Sequence, residues 1–119
     1  MKPQELRIGN KLQRPCCYDE VVEIRENGII GLDRLRGVIA YSEIEPILIE
    51  DELLLDIGFK QCGYLFKTLF IEMYELGNGW HLHIDNERFE TALSTTIKYV
   101  HQLQNAYYIA TGKEFEIKL

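Results

Sequence analysis

Gly77-Asn78-Gly79, followed by Trp80-His81-Leu82-His83-Ile84, constrains this chain more than any other stretch. A turn-forming triplet feeds a run that alternates strictly. Trp80, Leu82 and Ile84 share one face, and His81 and His83 share the other. Such a strand needs an antiparallel neighbour and a cover for its apolar side. The neighbour is read in residues 65–74, with Phe66, Leu69, Phe70, Ile71, Met73 and Tyr74. The cover is read in a helix over residues 100–111, where Val100, Leu103, Tyr107 and Ala110 form one stripe and Gly112 stops the turn. Residues 115–119 alternate and read as a terminal strand. Residues 87–97 carry both helical spacing (Phe89, Leu93, Ile97) and β-branched residues (Thr91, Thr95, Thr96), and are assigned to a short strand ending near Tyr99.

The first 45 residues have a different rhythm. Residues 6–12 read as a strand with a bend at Gly9-Asn10, and Pro15 closes it. Residues 18–25 read as a second strand. Asn27-Gly28 is a hairpin signal, because that pair supplies two left-handed residues. Residues 29–32 return from the turn, and residues 37–41 add a further strand. A single helical turn is expected over residues 42–45, stopped by Pro46. Leu53, Leu54 and Ile57 have helical spacing behind Glu50-Asp51-Glu52, which gives a two-turn helix over 51–57 ended by Gly58. The predicted fold is α+β: a small SH3-like barrel or curved β-meander, then a short helix, an antiparallel sheet, a packed C-terminal helix and a terminal strand. It is read as one domain over 1–119, with sub-halves 1–49 and 50–119 meeting near Pro46.

The 119 residues are 46% hydrophobic, enough for one core and too much for a disordered chain. Net charge is -6, with -1 on residues 1–49 and -5 on residues 50–119. That balance disfavours nucleic acid and anionic membranes, and points the second half towards neutral or basic partners. If nucleic acid binds, the cations to converge are Lys2, Arg7, Lys11, Arg14, Arg34 and Arg36. No run approaches 18 apolar residues, and the N-terminus lacks an apolar signal region, so a cytoplasmic location is expected. Cys16, Cys17 and Cys62 are an odd set for a disulfide framework and read as reduced thiols, buried or semi-buried at loops.

Chemistry-bearing motifs are few. His81 and His83 lie on one strand face at a spacing able to share a metal. A third ligand would come from Glu72, Glu75, Asp85, His101 or Cys62. Cys16-Cys17 beside Tyr18 and Asp19 lacks a base and a Cys-x-x-Cys partner. Glu50, Asp51, Glu52 and Asp56 are accounted for by a helix N-terminus and a solvated face. Neither a phosphate loop nor a Ser-His-acid pattern is present, so no catalytic residue and no cofactor is assigned. His101, Gln104 and Tyr108 share one flank of the last helix and are the candidate binding face.

The run Ile97-Lys98-Tyr99-Val100-His101-Gln102-Leu103-Gln104-Asn105, followed by Tyr107-Tyr108 and Ala110-Thr111-Gly112, resembles the closing segment of small uncharacterised proteins of phages and mobile elements of gut Bacteroidetes. The opening Leu6-Arg7-Ile8-Gly9-Asn10 is similar to theirs. So are Ile44-Glu45-Pro46-Ile47, Leu53-Leu54 and Gly58-Phe59. The resemblance implies a mobile-element accessory protein and transfers no catalytic residue. The expected function is a non-catalytic protein-interaction or structural module, with a protein partner or self-association. The alternatives are a nucleic-acid-binding accessory protein and a small metal-dependent enzyme using His81 and His83.

Overall fold

A computed structural model describes residues 3–68, 71–85 and 92–119. The first half builds two small antiparallel sheets. One joins β1 (Lys11–Gln13) to β2 (Tyr18–Glu20); the other is a meander of β3 (Glu23–Arg25), β4 (Gly28–Ile30) and β5 (Val38–Ala40). The predicted strand over 18–25 is broken at Val21-Val22, because adjacent residues take different partners. Val21 N–H donates to Asn10 O at 2.9 Å, and Val22 N–H donates to Ile30 O at 2.8 Å. The chain passes from one sheet to the other there, and no closed barrel forms among the described residues. The meander is the form that the first half takes.

Residues 6–10 make a turn where a strand was expected. Asn10 is fully buried, and its Oδ1 accepts from Arg7 N–H at 2.7 Å. That side-chain bond competes with a ladder, as Asn does. The hairpin at Asn27-Gly28 is present, but its turn residues are Glu26 and Asn27, since Arg25 pairs with Gly28. Gly28 is needed for close approach: a Cβ there would overlap the Ile39 carbonyl oxygen on the neighbouring strand.

In the second half, α1 (Asp51–Asp56) is followed by β6 (Lys60–Cys62), β7 (Leu65–Thr68), β8 (Ile71–Leu76), β9 (Gly79–Asp85) and β10 (Ala92–Ile97). These five strands form one antiparallel sheet in the order β10-β9-β8-β7-β6. The predicted strand over 65–74 is two strands, paired through Thr68 and Ile71; Leu69 and Phe70 lie outside the described residues. So does the part of the 87–97 expectation that falls on residues 87–91, while its remainder is β10. Trp80, Leu82 and Ile84 are buried, with His81 and His83 half-buried opposite, as the alternation requires.

The closing helix α2 (Val100–Thr111) has the expected bounds. Gln102 Oε1 accepts from the Lys98 and Tyr99 N–H groups at 2.8 and 3.1 Å and satisfies donors at the helix entry. Gly112 closes the helix with φ 73°, its N–H donating to Tyr108 O at 2.8 Å. Residues 115–119 join no sheet among the described residues. Phe115 and Ile117 are buried, with the Phe115 ring 5.2 Å from Tyr107 and 6.1 Å from Phe59. The alternation there records alternate burial without a ladder, which corrects the terminal-strand expectation.

Buried residues fall into two clusters. Leu6, Leu12, Val21, Ile29, Ile39 and Ile44 form one. The larger runs from Ile47 to Ile117 and includes Leu54, Met73, Trp80 and Leu103. A polar seam joins them. Gln104 Nε2 donates to Gly9 O at 3.0 Å and its Oε1 accepts from Lys11 N–H at 2.8 Å. Asn10 Nδ2 donates to Asn105 Oδ1 at 2.8 Å, and Arg7 pairs with Glu114. No helix among the described residues is long and apolar enough to cross a membrane.

Candidate functional site

The flank His101–Gln104–Tyr108 is not an exposed face. His101 and Gln104 are 3% and 2% exposed, and both amide atoms of Gln104 are used on the first half of the chain. Tyr108 is exposed, with the Arg7 guanidinium 4.3 Å above its ring centre. His101 stacks on Tyr99 at 5.9 Å, and its buried Nδ1 has no hydrogen-bond partner among the described residues. Burial lowers its pKa, against the opposing charge of Glu5.

The candidate nucleic-acid cations are largely neutralised. Arg7 pairs with Glu114, Lys11 with Glu20 at 2.7 Å, Arg14 with Asp19 at 3.4 Å and Arg36 with Asp33 at 3.3 Å. Arg34 is exposed, and Lys2 lies outside the described residues. His81 and His83 do share the sheet face away from the core. His81 sits opposite Tyr74, with ring centres 4.8 Å apart, and His83 sits opposite Glu72. No group of three or more His, Cys, Asp or Glu side chains among the described residues is placed to hold a metal. All three cysteines are exposed, which corrects the expectation of buried or semi-buried thiols.

The arrangement with most chemical character lies elsewhere. A groove of about 630 Å³ runs between the start of α1 and the β8–β9 turn. Glu50, Asp51 and Glu52 line one side and Glu75 the other, and all four are exposed. Among the described residues none of them is in an ion pair. Leu48 and Leu76 supply apolar wall, 53% and 37% exposed, and Lys98 is the cation at the rim. Trp80 lines its floor and is fixed there by its Nε1–H, which donates to Ile49 O at 3.0 Å.

The groove does not end at Glu75. A smaller depression of about 180 Å³ shares Asp51, Glu75 and Trp80 with it and brings in Tyr64 and Tyr74. Those two rings meet edge to face at 6.1 Å, and Tyr64 is one of the most exposed aromatic residues. Carboxylates beside aromatic faces and exposed leucines suit a cationic side chain on an apolar stem. The sequence marked the acidic run 50–52 and explained it by the helix dipole. It offered Glu75 only as a candidate metal ligand and did not join it to that run, because the contribution from β8 depends on strand register. Comparison with protein-family models, with curated proteins and with solved structures finds no match for this chain.

Proposed function

We propose that this chain is a non-catalytic, cytoplasmic protein-interaction module whose acidic groove takes a Lys- or Arg-bearing segment of a partner protein. The observation that carries this reading is the convergence of Glu50, Asp51, Glu52 and Glu75 on one groove with Leu48 and Leu76. A helix N-terminus accounts for three of those carboxylates; it does not account for Glu75, which comes from a different element. Unpaired like charges repel one another, and a basic ligand relieves that repulsion while apolar stems cover the leucines. The excess negative charge of residues 50–119 supports the same polarity. The resemblance to phage and mobile-element proteins supports an interaction role. Nucleic acid stands second, because four of its candidate cations already have carboxylate partners.

The test is titration with a synthetic Lys/Arg-rich peptide carrying leucines, read by calorimetry and by NMR shifts. Binding should weaken with salt, move the signals of Leu48, Leu76 and Tyr64, and be lost in a Glu50→Gln, Asp51→Asn, Glu52→Gln, Glu75→Gln variant that keeps its fold. Equal affinity in that variant, or shifts confined to another surface, would refute the reading.

A further inference from the structure

The loop between β1 and β2 carries two adjacent thiols far more organised than a surface pair needs to be. Gln13 pairs with Tyr18, Arg14 N–H donates to Cys17 O at 2.8 Å, and Cys17 N–H donates to Arg14 O at 3.3 Å. Pro15 and Cys16 therefore form the tip of a tight loop. Both thiols are exposed, with their Sγ atoms 3.0 Å apart.

Two cations stand beside them. Arg36, from the turn between β4 and β5, is placed so that its positive charge favours the ionised form of Cys16. Arg14 is held by Asp19 at 3.4 Å, and its buried Nε has no hydrogen-bond partner among the described residues. Asp19 is itself fixed, since it accepts from Leu32 N–H at 2.9 Å and packs where a Cβ on Gly31 would collide with it.

The thiolate is the nucleophilic form of cysteine, and neighbouring donors and cations favour it. The hydrogen bond shared with Cys17 lowers the Cys16 pKa most, against some desolvation, and Arg36 and Arg14 lower it further. The same hydrogen bond is the main cause that raises the Cys17 pKa. These directions favour Cys16 as the attacking sulfur of a pair in whose Sγ–Sγ contact either thiol can donate.

We propose that Cys16 and Cys17 are a redox-active vicinal dithiol that reacts with small-molecule disulfides, Cys16 attacking and Cys17 resolving. The Cys16 thiolate attacks one sulfur of the disulfide. A Cys16 S–S bond forms, the small-molecule S–S bond breaks, and one thiolate leaves. Cys17 then loses its proton to that thiolate and attacks Cys16 Sγ, which expels the second thiolate. The protein gives up two electrons and two protons, and the small disulfide becomes two thiols.

Adjacent Cα atoms lie about 3.8 Å apart across a trans peptide, below the usual disulfide span. The oxidised loop is therefore strained and easily reduced, which makes the site reversible and not a structural staple.

The experiment treats the full chain with oxidised glutathione and follows intact mass and peptide maps. Cys62, exposed on the edge strand β6 and alone, is the internal reference. With the reduced glutathione that it releases removed, the 16–17 peptide should lose two hydrogens, roughly tenfold faster than Cys62 reacts, and added reduced glutathione should restore them. Cys17→Ser should retain one glutathione on Cys16. Arg36→Gln should move the pH midpoint of Cys16 reactivity upwards. Equal rates at Cys16 and Cys62, or stable adducts on both vicinal thiols of the unaltered chain, would overturn the proposal. A circular dichroism spectrum unchanged from the parent shows that each variant is folded.

Discussion

Gln104→Ala tests whether the polar flank of α2 is a seam between two cores. Gln104 Oε1 accepts from Lys11 N–H at 2.8 Å, and its Nε2 donates to Gly9 O at 3.0 Å. Truncation leaves one backbone donor and one backbone acceptor without partners. Each such group costs about 1–3 kcal/mol when buried. Gly9 and Lys11 are half-buried, so water recovers part of the loss and roughly 2–4 kcal/mol remains. In a chain of this size that lowers Tm by roughly 8–20 °C. The assay is urea unfolding followed by Trp80 fluorescence and by far-ultraviolet circular dichroism. Trp80 belongs to the larger core, whereas Leu12, beside the truncated bonds, belongs to the smaller. If the seam couples them, both probes shift together and the m-value is unchanged. Ile109→Ala, on the same helix and 77% exposed, should stay within about 0.5 kcal/mol. A Gln104→Ala loss no larger than that of Ile109→Ala would refute the argument.

Gly28→Ala should destabilise by about 1–3 kcal/mol, because the new methyl group meets the Ile39 backbone, which has nowhere to move within the meander; urea midpoints measure it. Trp80→Phe should cost about 1–2 kcal/mol by leaving Ile49 O without its Nε1–H donor, read by circular dichroism, since the fluorophore is gone. The lowered pKa of His101 gives a pH dependence of definite sign. The unfolded imidazole titrates near about 6.5, so below that pH the unfolded chain binds more protons and stability falls as pH drops. His101→Leu should flatten the stability profile between pH 7 and pH 5, and an unchanged slope would contradict the buried, neutral imidazole.

The readable parts of the sequence are those where local spacing and tertiary burial agree. Trp80–Ile84 alternates because one face is core, and Val100–Thr111 ends at Gly112 because only a left-handed residue fits there. Errors arise where a long-range choice decides. No local feature marks the change of partner at Val21-Val22, which needs both Asn10 and Ile30. The apolar run over residues 65–74 carries no Gly, Pro or Asn to announce a reversal. Phe115 and Ile117 alternate as a strand would, yet their partners are the rings of Phe59 and Tyr107. At the candidate site the run Glu50-Asp51-Glu52 was visible, whereas Glu75 joins it only through the β8–β9 turn. Gln104 reads as a binding residue because a polar flank looks the same in sequence whether water or a second core lies over it.

The seam also sets a timetable for synthesis. Arg7 and Glu114 are 107 positions apart, and Gln104 reaches Gly9 across 95. The β1–β2 hairpin and the meander leave the ribosome long before the helix that closes over them exists. Until α2 emerges, Asn10 and the backbone of Lys11 must be hydrated, and the small cluster around Leu12 has only its own few apolar neighbours. Emergence of α2 and Glu114 is then the event that locks the beginning of the chain, so a stall or stop codon between residues 98 and 114 leaves even the N-terminal sheets unfinished.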